Sequence, residues 1–119
     1  MRSILSLGDV YVFSSIQEAF GKSAAESLLC GTPVVCFEKT AISEIISHKK
    51  NGYISKYLSS KNISKGIEWV ASKPKSFFKR NCLSIPKEKF DIKYCAKKYI
   101  KIYKKILNNS KKILYKFFF

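Results

Sequence analysis

Two glutamates, Glu18 and Glu26, stand in the stretch EAFGKSAAE with seven residues between them, Gly21 and Lys22 among these. A carboxylate within an apolar segment costs free energy unless it is paired, hydrogen-bonded or left open to solvent or ligand. The residues between the two acids suggest the chemistry. Gly21 lets the backbone come close to a ligand, and the amides around Gly21, Lys22 and Ser23 open a helix. Such a helix start favours a phosphate or diphosphate. Glu26 lies roughly 7 Å further along the axis, too far for the same phosphate and of the wrong sign. It suits a neighbouring ribose, whose vicinal hydroxyls both donate to one carboxylate. Glu18, on the loop before the helix, reaches towards the other side of the diphosphate. Ribose, diphosphate and sugar in that order describe a nucleotide-sugar.

Each residue also has a plainer reading. Ser23-x-x-Glu26 is a capping-box pattern in which the glutamate satisfies a helix-terminal amide. Glu18 reads equally as a solvated loop acid, and Lys22 as a surface lysine near a helix start.

The elements that position these residues alternate. DVYVF, with Val10–Phe13 as its strand, and TPVVCF, with Pro33–Phe37, are short β-branched and aromatic runs that read as buried strands. Between them SAAESLLCG reads as a helix stopped by Gly31. AISEIISHKKNG reads as a short helix closed by an Asn51-Gly52 turn, with YIS as a third strand. His48 is then an exposed helix-end residue, favourable when charged, and Asp9 caps or turns into the first strand. SSKNISKGIEWVAS carries Ile63, Ile67 and Val70 on one stripe with Trp69 beside it. Pro74 and Pro86 bracket a further helix containing Phe77 and Phe78. FDIKYCAKKYIKIYKKIL sets Ile92, Cys95, Tyr99, Tyr103 and Ile106 at helical spacing, with lysines mostly opposite. This order predicts an α/β fold with a small parallel sheet. A parallel sheet of three short strands expects neighbours and helices beyond those strands.

Composition narrows the function classes. The chain has 119 residues, 46% of them apolar, which suits one ordered domain or part of one. No run approaches the roughly 20 apolar residues of a transmembrane span, and Asp9 interrupts any signal-peptide core. Cys30, Cys36, Cys82 and Cys95 form no CxxC and the only histidine is His48, so no metal site is expected. The four cysteines read as reduced thiols of a cytoplasmic protein. The net charge of +15 is concentrated: residues 1–72 hold eight Lys or Arg against six acids, and residues 73–119 fifteen against two. Arg2 and Arg80 are the only arginines, which disfavours a reader of base edges. The C-terminal lysines are either a solvated helix face, a patch for an anionic membrane surface with ILYKFFF as its aromatic end, or, last, a nucleic-acid contact.

EAFGKSAAE resembles the E-x7-E motif of retaining glycosyltransferases of the GT-B fold (the group 1 type). DVYVFSS and CGTPVVCF resemble the strands flanking that motif, and the likeness runs through residues 8–107. SIQEAFGK and HKKNGY are most similar to bacterial enzymes that build exopolysaccharide or O-antigen. The resemblance implies a Rossmann-like sheet of a C-terminal donor domain with closing C-terminal helices, and a domain of residues 1–107 followed by a basic, aromatic tail at 108–119. It implies that Glu26 binds the donor ribose and that Glu18 contacts the donor sugar. Glu18 is thus the catalytic candidate, though not a nucleophile, since a front-face route is favoured in the family. The amides of Phe20, Gly21 and Lys22 would lie beside the sugar and diphosphate. The implied partners are a nucleotide-sugar donor and a saccharide or lipid-linked acceptor, with no cofactor, at the inner face of the plasma membrane or in the cytoplasm.

The sequence departs from that family's pattern in places. Lys39 and Thr40 stand where it has a glycine pair, Ser43 where it has proline, and Ser14 at another common proline position. The N-terminal acceptor domain and the first donor-domain strands are expected to be missing, so the chain is expected to be inactive alone. The competing expectation is a non-catalytic remnant or a basic interaction module that keeps the fold.

Overall fold

The computed structural model describes residues 2–84 and 91–118. The chain divides into two compact units, Met1–Ile85 and Pro86–Phe119.

In the first unit the order is α1 (Arg2–Leu7), β1 (Tyr11–Phe13), α2 (Lys22–Leu29), β2 (Val34–Phe37), a 3₁₀ turn (Ala41–Glu44), β3 (Gly52–Ser55), α3 (Ser60–Ala71) and α4 (Lys75–Leu83). The three strands form one sheet in the order β1-β2-β3. Both pairings are parallel, with Val12 beside Val35 and Val35 beside Tyr53. The expected α/β architecture and the adjacency of the first two strands are therefore present. Residue 10 and Pro33 fall just outside the strands, although the carbonyl of Pro33 accepts from the amide of Tyr11 at 2.9 Å.

The central strand explains the strength of its signal. All four residues of β2 are buried, as a strand covered on both faces requires. Alternation along the strand sorts the two faces. Gly66 of α3 comes so close to Val35 and Tyr53 that an added Cβ would lie 2.8 and 2.7 Å from their side chains. Glycine here lets the α3 backbone settle on the sheet, and Ile63, Ile67, Val70 and Trp69 complete that packing. On the other face Ala24 and Leu28 of α2 are fully buried in the same core as Phe13 and Cys36. The small alanines allow α2 to pack closely. Phe78 and Cys82 of α4 close this core, and burial pushes the thiol of Cys82 up to about 12 and that of Cys36 to about 11.

Three local expectations are corrected. A helix, α1, occupies the start of the chain, where no element was expected. AISEIISHKKNG is not a helix beyond the single 3₁₀ turn. The reason is Asn51, whose side-chain Oδ1 accepts from the amide of Ser47 at 2.8 Å, while the amides of Lys50 and Asn51 donate to the Ser47 carbonyl. These bonds make a closed turn with Lys49 left-handed at φ 59°, and Gly52 begins the strand instead of finishing the turn. His48 is consequently not a helix-end residue. It forms a parallel bridge with Gly52. Asp9, for its part, makes an exposed ion pair with Lys75 at 2.9 Å.

The second unit carries α5 (Ile92–Phe118). Asp91 caps it, its Oδ1 accepting from the amide of Tyr94 at 2.9 Å. The helix runs without a break through residue 107. The expected beginning of this helix at Phe90, and the bracketing Pro86, lie outside the described residues.

Candidate functional site

Beyond the carboxyl ends of β1 and β2 two loops meet. The first, residues 14–21, leaves β1 and enters α2. The second follows β2 and carries Lys39, Thr40 and the 3₁₀ turn. Ligands of open α/β sheets collect at this edge.

The loops are held together by Gly21 and Ile42. Gly21 caps the start of α2 in the left-handed region, with φ 71° and ψ 56°. Its carbonyl accepts from the amides of Ala24 and Ala25, which leaves the Lys22 and Ser23 amides ahead of the helical ladder, as at any helix start. Ile42 is fully buried and fills the space a side chain at residue 21 would need, with its Cδ1 1.9 Å from the position of an added Cβ. Only glycine satisfies both the backbone and the space.

This cap settles the plainer reading of Glu26. A capping box needs its serine at the N-cap and its glutamate three residues later. Here Gly21 is the N-cap, so Ser23 lies inside the helix and the box is out of register. Glu26 instead stands on the second turn of α2, partly exposed.

An open cleft of about 540 Å³ is lined by Ile16, Gln17, Glu18, Ala19, Lys39, Thr40 and Ala41. Of the sequence-selected residues Glu18 lines this cleft. Phe20, Gly21, Lys22 and Glu26 do not line it, although they follow directly on the same loop and helix; Phe20 is 50% exposed, Lys22 is exposed and Gly21 is buried. The structure thus brings Glu18 together with the second loop.

In the sequence Lys39 and Thr40 stand out only as departures from a family pattern. In the structure they form the opposite side of the cleft. Lys39 is left-handed at φ 60°, a conformation that costs a non-glycine residue about 1–2 kcal/mol. Thr40 is buried, its Oγ1 donating to the Phe37 carbonyl at 2.9 Å, and the Ser43 hydroxyl donates to the Thr40 carbonyl at 2.7 Å. These bonds fix the loop that follows β2, with Thr40 itself in extended backbone. The signal was present in the sequence as a substitution at a position where glycine was expected. Among the described residues no group of three or more His, Cys, Asp or Glu side chains is placed to hold a metal.

The comparisons with known proteins agree with this architecture. The model of the family "Glycosyl transferases group 1" matches residues 1–81. An uncharacterised glycosyltransferase of Methanocaldococcus jannaschii is 29% identical over 106 residues, which cover 87% of this chain and 27% of the relative. Among solved structures, sucrose-phosphate synthase from Thermosynechococcus elongatus superposes with a TM-score of 0.76 at 19% identity, covering 89% of this chain and 27% of that one. The Anabaena protein HepE in complex with UDP and glucose superposes with a TM-score of 0.74 at 21% identity, covering 86% and 29%. The same protein was also solved with UDP-glucose. These likenesses show the fold, that of GT-B glycosyltransferases. The chain spans less than a third of the length of the proteins it matches.

Proposed function

Because the chain belongs to the glycosyl transferases group 1 family, we propose that it forms the donor-binding wall of a glycosyltransferase. The enzyme would move a sugar from a nucleotide-sugar to a saccharide or lipid-linked acceptor with retention of configuration. The observation that carries this reading is the paired loop edge, where Glu18 lines an open cleft just ahead of the Gly21-capped start of α2.

The roles follow from charge and reach. The diphosphate sits at the start of α2, where the Phe20, Gly21 and Lys22 amides and the helix dipole offset its charge. Glu26 accepts from the ribose hydroxyls. Glu18 accepts from the donor sugar in the cleft and so holds its anomeric carbon towards the acceptor. The bond from that carbon to the diphosphate oxygen breaks, the acceptor oxygen bonds on the same face, and its proton passes to the leaving phosphate. Glu18 orients and is not a nucleophile. The UDP and UDP-glucose held by HepE support a nucleotide-sugar as the donor class.

The test is a ligand-observed NMR titration of UDP and UDP-glucose. Glu26→Ala should weaken both ligands roughly 10- to 150-fold, the loss of hydrogen bonds to a charged group. Glu18→Ala should weaken UDP-glucose and leave UDP unchanged. Unaltered affinity of both variants for both ligands would remove the assignment.

A further inference from the structure

The lysine excess of the second unit is arranged in space as well as in sequence. Over Ile92–Leu107, projected at about 100° per residue, Lys93, Lys97, Lys98, Lys101, Lys104 and Lys105 fall within an arc of about 140°. Tyr94 stands among the lysines; the remaining apolar residues, among them Tyr99, Ile102, Tyr103 and Leu107, occupy an arc of about 160° on the other side. The two arcs do not overlap. These apolar side chains are open to solvent, with Ile92 81% exposed and Tyr99 and Leu107 each 61%.

The polar face has one sign. No acid occurs anywhere between Ile92 and Phe118, whereas an ordinary solvated helix face intersperses both signs. Six cations along roughly 25 Å of helix are spaced more closely than the Debye length of about 8 Å at physiological salt, so they repel one another. Lys98 partly relieves this by placing its Nζ 4.8 Å above the Tyr94 ring. An anionic surface would relieve the rest. A helix that sets a lysine face against an aromatic and aliphatic face, with polar and apolar residues nearly in balance, is suited to lie in a lipid interface. Its lysines reach up to the headgroups along their methylene stems. No helix among the described residues is long and apolar enough to cross a membrane.

We propose that α5 docks the protein on an anionic lipid surface, lying in the interfacial plane with Ile102, Tyr103 and Leu107 among the acyl chains and the lysines against lipid phosphates. This site is independent of the donor reading. The test is co-sedimentation of the full chain with vesicles of phosphatidylcholine alone and of an equimolar mixture with phosphatidylglycerol. Binding is expected to the mixed vesicles only, and to disappear in about 1 M salt, where the Debye length is about 3 Å. The triple change Lys97→Glu, Lys101→Glu, Lys104→Glu should weaken it about a hundredfold, and the matching Lys→Arg triple should not. Ile102→Asn with Leu107→Asn should also weaken it while the charge is kept. Circular dichroism of each variant on its own shows whether the helix persists. Equal binding to neutral vesicles, undiminished binding by the folded glutamate triple, or self-association or heparin binding without vesicle binding would overturn the proposal.

Discussion

The imidazole Nδ1 of His48 accepts a hydrogen bond from the amide of Ile54 at 3.0 Å. A nitrogen that accepts cannot carry a proton, so this bond requires the unprotonated ring face. The ring also lies 4.6 Å from that of Tyr53. Desolvation, with the Lys49 charge as a lesser cause, holds the histidine below its ordinary value of 6.5.

The resulting pH dependence has a definite sign. The unfolded state takes up its proton first as pH falls, so the stability contributed by neutral His48 is complete above 6.5 and is lost as pH drops towards the folded-state value. Thermal midpoints of the wild type and His48→Gln should therefore converge on acidification through that window. Parallel curves would show that the histidine contributes no pH-linked stability.

Gly21→Ala should cost about 2–4 kcal/mol, from a left-handed alanine and from overpacking against Ile42. Ile42→Ala alone should cost about 2–5 kcal/mol through its cavity. In the double variant the vacated space accepts the new methyl, and the loss should fall short of the sum by about 1 kcal/mol. Urea unfolding of the four proteins measures this; strict additivity would mean that the two residues do not meet.

Lys39→Gly should stabilise the fold. Relief of the left-handed strain is worth about 1–2 kcal/mol, offset by about 0.4–1 kcal/mol for the greater freedom of glycine in the unfolded chain. A rise of a few degrees in Tm is the expected outcome, and a fall would show that the lysine side chain makes a contact that outweighs its backbone.

The 119-residue chain alone should release and transfer no sugar. Holding donor and acceptor together supplies much of the rate gain in group transfer, and this chain provides less than a third of the length of its relatives. An assay across a panel of nucleotide-sugars with extracted lipid-linked acceptors checks this. Turnover abolished by Glu18→Gln would show that the chain is competent after all.

What was legible in the sequence was set by local chemistry. Val34, Val35 and Phe37 mark a strand buried on both faces, and Ile63, Ile67 and Val70 mark the inward stripe of α3, because a core selects apolar residues at fixed periods. The α1 helix was not legible, since Ile4 and Leu7 are exposed and form no inward stripe. Nor was the role of His48, which depends on Ile54 in a strand that arrives by folding. Lys39 is the reverse case: its neighbourhood called for glycine, and only the backbone shows that the glycine conformation is kept. At the site, the position of Glu18 on its loop follows from the order of elements alone. Its cleft partners Lys39 and Thr40 belong to another loop, and no local pattern joins the two.

The sheet order β1-β2-β3 repeats the order of the chain, and this bears on how the protein is made. Each strand pairs in parallel with its neighbour in sequence, across a single crossover and with no strand skipped. A polypeptide leaving the ribosome from its N-terminus has β1 waiting when β2 emerges, and β2 waiting for β3. The apolar segment Val34–Phe37 thus always follows the strand it pairs with on its β1 side. The same order that sets the two loops side by side at the cleft lets the sheet be laid down in the order of synthesis.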